Sequence, residues 1–269
     1  MSLYHYTDVN AVRSIVENQR IWLTDSRFLN DKEEHKSGLD NFKKILESGE
    51  KFEKFSKESR RYLSDYLFSP TNNLEPIFIF SLSESNDLLS QWRSYGSYAV
   101  EFDKLELSKS FPDIHECCYD EGKDQKTIEI LTAALEVIDT HVKKGEKYRD
   151  GNSDNALIKA AKEAASFKHK AFSEEKEHRL IKRDTEKVPV GGGFSTSNIR
   201  YRSRGKILIP YLEIVMPINC IKSIKIGPID NQDLACISMQ SFVNNHPHKK
   251  LWNDQNIPVT TSSAPYRNF

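Results

Sequence analysis

Pro76-Ile77-Phe78-Ile79-Phe80-Ser81-Leu82-Ser83 is the most strand-like stretch of this chain. Its apolar residues follow one another without a polar break, the pattern of a strand buried on both faces. The run ends in alternating serines, as expected where a central strand opens on a cleft. Ser81 and Ser83 are therefore candidate ligand contacts. Working outward, Asn86 is predicted to cap a short helix through Trp92 that Gly96 terminates. Tyr98-Ala99-Val100-Glu101-Phe102 then reads as a second strand. Strand–helix–strand packing thus surrounds Trp92 and Tyr95.

Upstream, Leu3-Tyr4-His5-Tyr6-Thr7 and Ile21-Trp22-Leu23-Thr24 are short strands. Between them Asp8 can cap a helix on which Val9, Val12, Ile15 and Val16 recur at helical spacing. Asn30-Asp31-Lys32-Glu33 has the form of a capping box, followed by charged helices about Lys32–Glu47 and Phe52–Phe68. The stretch about Asp124–Phe172 is helical and charge-rich, with an interruption near Arg149–Asn152. It suits an inserted helical layer or an arm that binds a partner protein. Strands resume at His178–Lys182, Ile199–Arg202, Lys206–Val215 and Ile221–Ile226, the last three antiparallel because their connections are short. A helix over Asn231–Asn244 and a strand over Ile257–Thr261 close the chain. Clustered strands with helices between and around them predict a single α+β domain over 1–269, with helical insertions at about 32–70 and 124–172.

The 39 basic and 39 acidic residues cancel. That balance argues against holding nucleic acid by bulk electrostatics, while leaving room for a local basic patch. Cys117, Cys118, Cys220 and Cys236 form no C-x-x-C pair and no metal-ligand spacing, so reduced, packed thiols are expected. No apolar run reaches membrane-spanning length and the start lacks a leader pattern, which makes the cytoplasm the expected compartment, with no membrane partner.

Chemistry-bearing residues fall in three clusters. His5 is an imidazole on a fixed strand, a rigid polar tip suited to a ribose hydroxyl or, equally, to a backbone carbonyl. Tyr4 and Tyr6 share the face opposite to it, as core or cleft-wall aromatics. In Gln91-Trp92-Arg93-Ser94-Tyr95-Gly96, Trp92 and Tyr95 lie three apart on one helical face, where they serve packing or base stacking. Arg93, on another face, is a phosphate ligand or a solvated charge. In Glu174-Glu175-Lys176-Glu177-His178-Arg179, period two puts Glu175, Glu177 and Arg179 on one face. Two carboxylates so placed repel unless a cation or a ligand hydroxyl separates them. H-E-x-x-H, G-x-S-x-G and the phosphate-loop pattern are all absent, and His246 and His248 are an isolated pair. No metal site is expected. Gly191–Gly193 reads as a mobile loop.

Taken together, LYHYT at Leu3–Thr7, LND with Glu34 at Leu29–Glu34, FSLSE at Phe80–Glu84, QWRSYG at Gln91–Gly96, EKEHRLI at Glu175–Ile181 and IKIG from Ile224 resemble the bacterial family named domain of unknown function 2971. That name carries no activity. The order His, Tyr, Glu along the chain is in turn similar to the His–Tyr–Glu ADP-ribosyltransferases. This second resemblance implies a split, mostly antiparallel β core with helices outside it, and NAD as substrate. It assigns His5 to the nicotinamide-side ribose, Tyr95 to stacking on nicotinamide, and Glu177, with Glu175 as rival, to the carboxylate that holds a ribose hydroxyl. Tyr6, Trp92, Arg93, Ser81 and Ser83 complete the expected NAD contacts.

The leading expectation is therefore an NAD-dependent ADP-ribosyltransferase-like enzyme, of the kind that serves bacteria as toxin or phage-defence effector, with the acceptor left open among protein, nucleic acid, a small molecule and water. Cleaving the nicotinamide–ribose bond builds oxocarbenium character that a nearby carboxylate stabilises. A second expectation is a non-catalytic nucleotide sensor that signals to a partner through its helical middle. A third is a metal-dependent nuclease built on Glu175, Glu177 and Lys182.

Overall fold

The computed structural model describes residues 1–29, 34–68, 76–145, 151–184, 188–190, 194–196, 198–245 and 256–264. The expected Asn30 capping box, the Gly191–Gly193 loop and His246 and His248 lie outside them. The chain runs β1 (Ser2–Thr7), α1 (Val9–Asn18), β2 (Arg20–Asp25), α2 (Glu34–Glu47), α3 (Lys57–Phe68) and β3 (Ile77–Ser83). It continues with α4 (Leu89–Tyr95), β4 (Tyr98–Asp103), α5 (Lys104–Ser110), β5 (Ile114–Glu116), α6 (Lys123–Lys143) and α7 (Gly151–Ala164). Then come β6 (Glu177–Arg183), β7 (Val188–Val190), β8 (Phe194–Thr196), β9 (Ile199–Arg204), β10 (Ile207–Val215), β11 (Ile221–Ile226), α8 (Gln232–Asn245) and β12 (Val259–Thr261).

The protein is α+β, built on one large, mostly antiparallel sheet ordered β12-β11-β4-β1-β3-β2-β10-β9, with β6 on the other side of β3 and β5 beyond it. Only β11 and β12 pair in parallel among the described strands. β3 is the organising strand, as its unbroken apolar run predicts: β6 pairs with all of it, from Ile77↔Arg183 to Ser83↔Glu177. Its opposite edge is shared. β1 meets it at Tyr4↔Ser83, and β2 at Thr24↔Ile79 and Asp25↔Phe78. Between these contacts Phe80, Ser81 and Leu82 have no strand partner on that edge, and the sheet is split there.

Side-chain alternation sends the two sheet faces to different layers. Leu3, Phe80, Leu82, Val100, Phe102 and Ile224 face a core that Val12, Ile15 and Val16 of α1, Leu107 of α5 and Met239 and Val243 of α8 complete. α1 reaches this face because Asp8 caps it, accepting from the Ala11 amide at 2.9 Å. On the other face, Ile77, Ile79 and Ile181 pack under Ala165 at the end of α7.

Helices α2, α3, α6 and α7, from the two charge-rich segments, assemble into one layer with its own core of Phe42, Leu63, Leu67, Leu131, Leu135 and Leu157. Gly38 of α2 lies so near Ala164 that an added Cβ would stand 2.1 Å from its carbonyl oxygen, hence the residue without a side chain there. Asp139 of α6 fixes the start of α3 by accepting from the Ser56 amide and the Ser59 hydroxyl, both at 2.9 Å. No described helix is long and apolar enough to cross a membrane.

Two local expectations are corrected. α4 begins at Leu89, and its N-cap Leu88 makes no side-chain cap, so Asn86 stays in the preceding loop. The anchor is Asp87 instead, which accepts from the Trp92 indole at 2.7 Å and from the Ser262 hydroxyl at 2.5 Å. Glu175 does not alternate with Glu177 along a strand. It ends a 3-10 turn, and Lys176 between them takes a left-handed conformation (φ 42°), which resets the direction of the chain.

Candidate functional site

The split exists because two strands pair with the same edge of β3 and then part from it. His5 fills its vertex. Being one residue beyond Tyr4, it points to the face of Phe80, on which its ring stacks at 4.1 Å with a 27° tilt. Its Nδ1 donates to the Ser81 carbonyl at 2.9 Å, within the unpaired stretch of β3. Burial lowers its pKa to about 4, and the Arg202 cation works in the same direction, so the ring is neutral at physiological pH. A neutral imidazole that donates through Nδ1 must present Nε2 as an acceptor. That nitrogen has no hydrogen-bond partner among the described residues.

Arg202 lies across the split, on the sheet face of Thr24 and Ile79, opposite to that of His5 and Phe80. It stands on β9, opposite Ile209, and reaches across β10 to donate to the Thr24 hydroxyl at 2.9 Å. Its guanidinium lies 5.7 Å from the centre of the Trp22 ring, which is itself tilted against Tyr211 at 4.6 Å. The group is half-buried and, among the described residues, it makes no ion pair. Burial lowers its pKa, as does Arg204. A desolvated cation without a carboxylate is costly, and a bound anion would remove that cost. Asp8, at the end of β1, is close enough to act electrostatically on both His5 and Arg202.

Tyr95 stands at the end of α4, next to the end of β1. Gly96 follows it with φ +136°, and a Cβ there would lie 2.3 Å from the Thr7 carbonyl oxygen. α4 therefore ends directly against the end of β1, with Tyr95 38% exposed. Arg93 is exposed on the same helix. Trp92 and Tyr6 are packing residues rather than cleft contacts: both are buried and meet edge-on at 4.5 Å. The Tyr6 hydroxyl donates to the Ser85 carbonyl at 2.7 Å and accepts from the Leu88 amide. Ser83 is buried as well, its hydroxyl donating to the Glu175 carbonyl at 2.5 Å. Ser81 contributes its backbone carbonyl to the vertex.

Glu177 is placed elsewhere. It is in register with Ser83, and Ser83 with Tyr4, so its side chain takes the face opposite to His5. It is 4% exposed and held by two cations: Lys168, which also binds Glu175 at 2.5 Å, and Arg179 at 2.8 Å. Burial pushes the Glu177 pKa up, but Arg179 and Lys168 outweigh it and hold the carboxyl well below its usual range. Arg179 also donates to the Ala165 carbonyl at 2.8 Å, and the Tyr119 hydroxyl accepts from the Glu177 amide at 2.9 Å. This balanced cluster ties α7 and the following turn to the sheet. The structure thus brings His5 to the split and Tyr95 to the adjoining end of β1, but keeps Glu177 and Glu175 under the helical layer. Lys182, the third member of the nuclease expectation, pairs with Asp113 at 2.6 Å. No metal-binding cluster of His, Cys, Asp and Glu occurs among the described residues.

Sequence reasoning passed over Arg202, Trp22 and Thr24. The signal was present in Ile199-Arg200-Tyr201-Arg202-Ser203-Arg204, where a strand period puts every arginine on one face.

Residues 91–180 match the model of a family described as protein of unknown function (DUF2971). The span runs from α4 into β6 and includes the Gln91–Gly96 motif and most of Glu175–Ile181. No curated protein and no solved structure matches the chain.

Proposed function

We propose that the chain binds a nucleotide in the split between β1 and β2. Arg202 receives a phosphate, His5 Nε2 accepts a ribose hydroxyl, and Trp22 and Tyr95 supply aromatic surface at the rim. One observation carries this reading: a half-buried guanidinium lacking an acidic partner among the described residues lies within electrostatic reach, across the split, of a neutral imidazole with an open acceptor. Nucleotides offer the complementary set, an anion and hydroxyl donors on one small molecule. Calorimetric titration with NAD, ADP-ribose and ATP tests it. Saturable binding of at least one of them, weakened about tenfold or more in Arg202→Gln, is the expected result; such a loss corresponds to roughly 1.4 kcal/mol. Absence of binding by all three overturns it.

A second reading adds ADP-ribosyl transfer from NAD. It is supported by the position of a histidine of the first strand at a split in an antiparallel sheet, with Tyr95 nearby. Glu177 is badly placed for the carboxylate of that reaction. Asp8, within electrostatic reach of both His5 and Arg202, is the better candidate. In such a step the nicotinamide–ribose bond breaks, nicotinamide leaves with the bonding electron pair, and the carboxylate stabilises the developing oxocarbenium charge. Release of free nicotinamide that Asp8→Asn abolishes and the folded Glu177→Gln variant retains supports this reading. NAD bound but never cleaved leaves a nucleotide-binding sensor.

A further inference from the structure

We propose that the arginine-bearing face of β9, β10 and β2, on which Arg200 and Arg204 are exposed, is a binding surface for single-stranded nucleic acid. Arg200, Arg202 and Arg204 alternate along β9 and so share one face, the face of Tyr211 and Glu213 on β10 and of Arg20 and Trp22 on β2. Four arginines thus share this strand face with a single glutamate, Glu213. Glu213 is already shared three ways: Arg20 donates to it at 3.1 Å, Arg200 pairs with it at 3.0 Å and the Trp22 indole donates at 3.0 Å. Arg204 makes no ion pair among the described residues. In a chain whose 39 basic and 39 acidic residues cancel, this is a local excess with a defined direction.

Its spacing selects the occupant. Successive arginines on one face of an antiparallel strand are roughly 6.8 Å apart. The phosphates of a single nucleotide share a bridging oxygen and are too close together to meet separate rungs. Neighbouring phosphates along an extended single strand are separated by a sugar and match the ladder. Charged residues on an edge strand also discourage strand-to-strand association, but that role needs no arginine reaching inward over β10 to Thr24. The Trp22 ring beneath Arg202 adds the aromatic component with which single-strand binders combine their basic grooves. β9 ends the sheet and has no second strand partner among the described residues.

The surface shares Arg202 and Trp22 with the nucleotide site proposed above, so its test uses Arg200 and Arg204, to which that reading gives no role. A fluorescein-labelled mixed-sequence oligodeoxynucleotide is titrated with the full chain at several salt concentrations, with anisotropy as the readout. Binding that weakens with salt is expected. In Arg200→Glu/Arg204→Glu, affinity falls at least about tenfold, and the slope of log K against log salt shrinks by roughly 1.4, the share of two single-strand phosphate contacts. Lys43→Glu on the distant helix α2 changes neither quantity, and the milder Arg204→Gln gives a partial loss should the double variant not fold. Nucleotide titration of Arg200→Gln, unchanged while its affinity for the strand falls, separates the two sites. The proposal is overturned by wild-type protein that fails to bind the strand, that binds only vesicles containing phosphatidylserine, or whose folded arginine variants bind with unaltered affinity and slope.

Discussion

The side chains of His5 and Glu177 lie on opposite faces of one sheet, although only β3 separates their strands. Tyr4, the neighbour of His5, is in register with Ser83, and Ser83 with Glu177, so alternation turns the imidazole away from the carboxylate. The imidazole meets Phe80 and the split, whereas the carboxylate meets Lys168 and Arg179 beneath the helices. A role for Glu177 in holding the fold follows more directly than a role in chemistry.

Glu177→Gln is expected to destabilise the protein by about 3–5 kcal/mol, because two buried cations, Lys168 and Arg179, lose the carboxylate that binds both. Urea unfolding followed by circular dichroism measures this. A loss below about 1 kcal/mol would show that the cluster does not hold the helical layer to the sheet.

Acid should expose the same carboxylate. Its pKa is depressed in the folded protein, so its contribution is complete above the unfolded carboxylate value and is lost as pH falls through the folded one. Wild-type stability is expected to decline as pH falls below the ordinary carboxylate range, and the Gln variant to decline less steeply over the same interval. Parallel curves for the two proteins would contradict the ion-cluster account.

His5 adds a second window at higher pH. Its pKa is lowered to about 4 from 6.5, so below 6.5 the unfolded chain takes up a proton that the folded one does not. Stability should fall as pH drops from 6.5 towards 4, and His5→Gln should remove that part of the dependence. In a nuclear magnetic resonance titration of the folded protein the His5 ring should change state near pH 4. A midpoint near 6.5 would mean that the ring is solvated rather than seated on Phe80.

Gly96→Ala tests the junction of α4 with β1. A methyl group cannot fit 2.3 Å from the Thr7 carbonyl oxygen, and φ +136° disfavours any side chain. Strain of this kind costs about 1–3 kcal/mol, and relief by displacing α4 moves Tyr95. Lowered thermal stability together with weakened nucleotide binding is expected. Loss of stability with undiminished binding would remove Tyr95 from the rim of the site.

Much of the architecture was legible because it is local. The apolar run Ile77–Leu82 marked the central strand, Asp8 marked the start of α1, and the charge-rich segments came out as helices because their apolar positions recur at helical spacing. What misled was the assumption that Glu175 and Glu177 belong to one strand. The left-handed Lys176 ends that alternation, and nothing in its residue type announces a positive φ. The arginine face of β9 was visible as a pattern but carried no meaning until its neighbours were known.

From residue order alone came most of the elements and the α+β class, though not the short α5, β5, β7 and β8, since strand and helix periodicities are properties of a few consecutive side chains. Only the tertiary structure decided that β1 and β2 share one edge of β3, that His5 occupies the gap between them, and that Lys168 reaches both glutamates. Those relationships join residues far apart in the chain, and they are selected by the burial of opposite sheet faces under different helices, which no local spacing encodes.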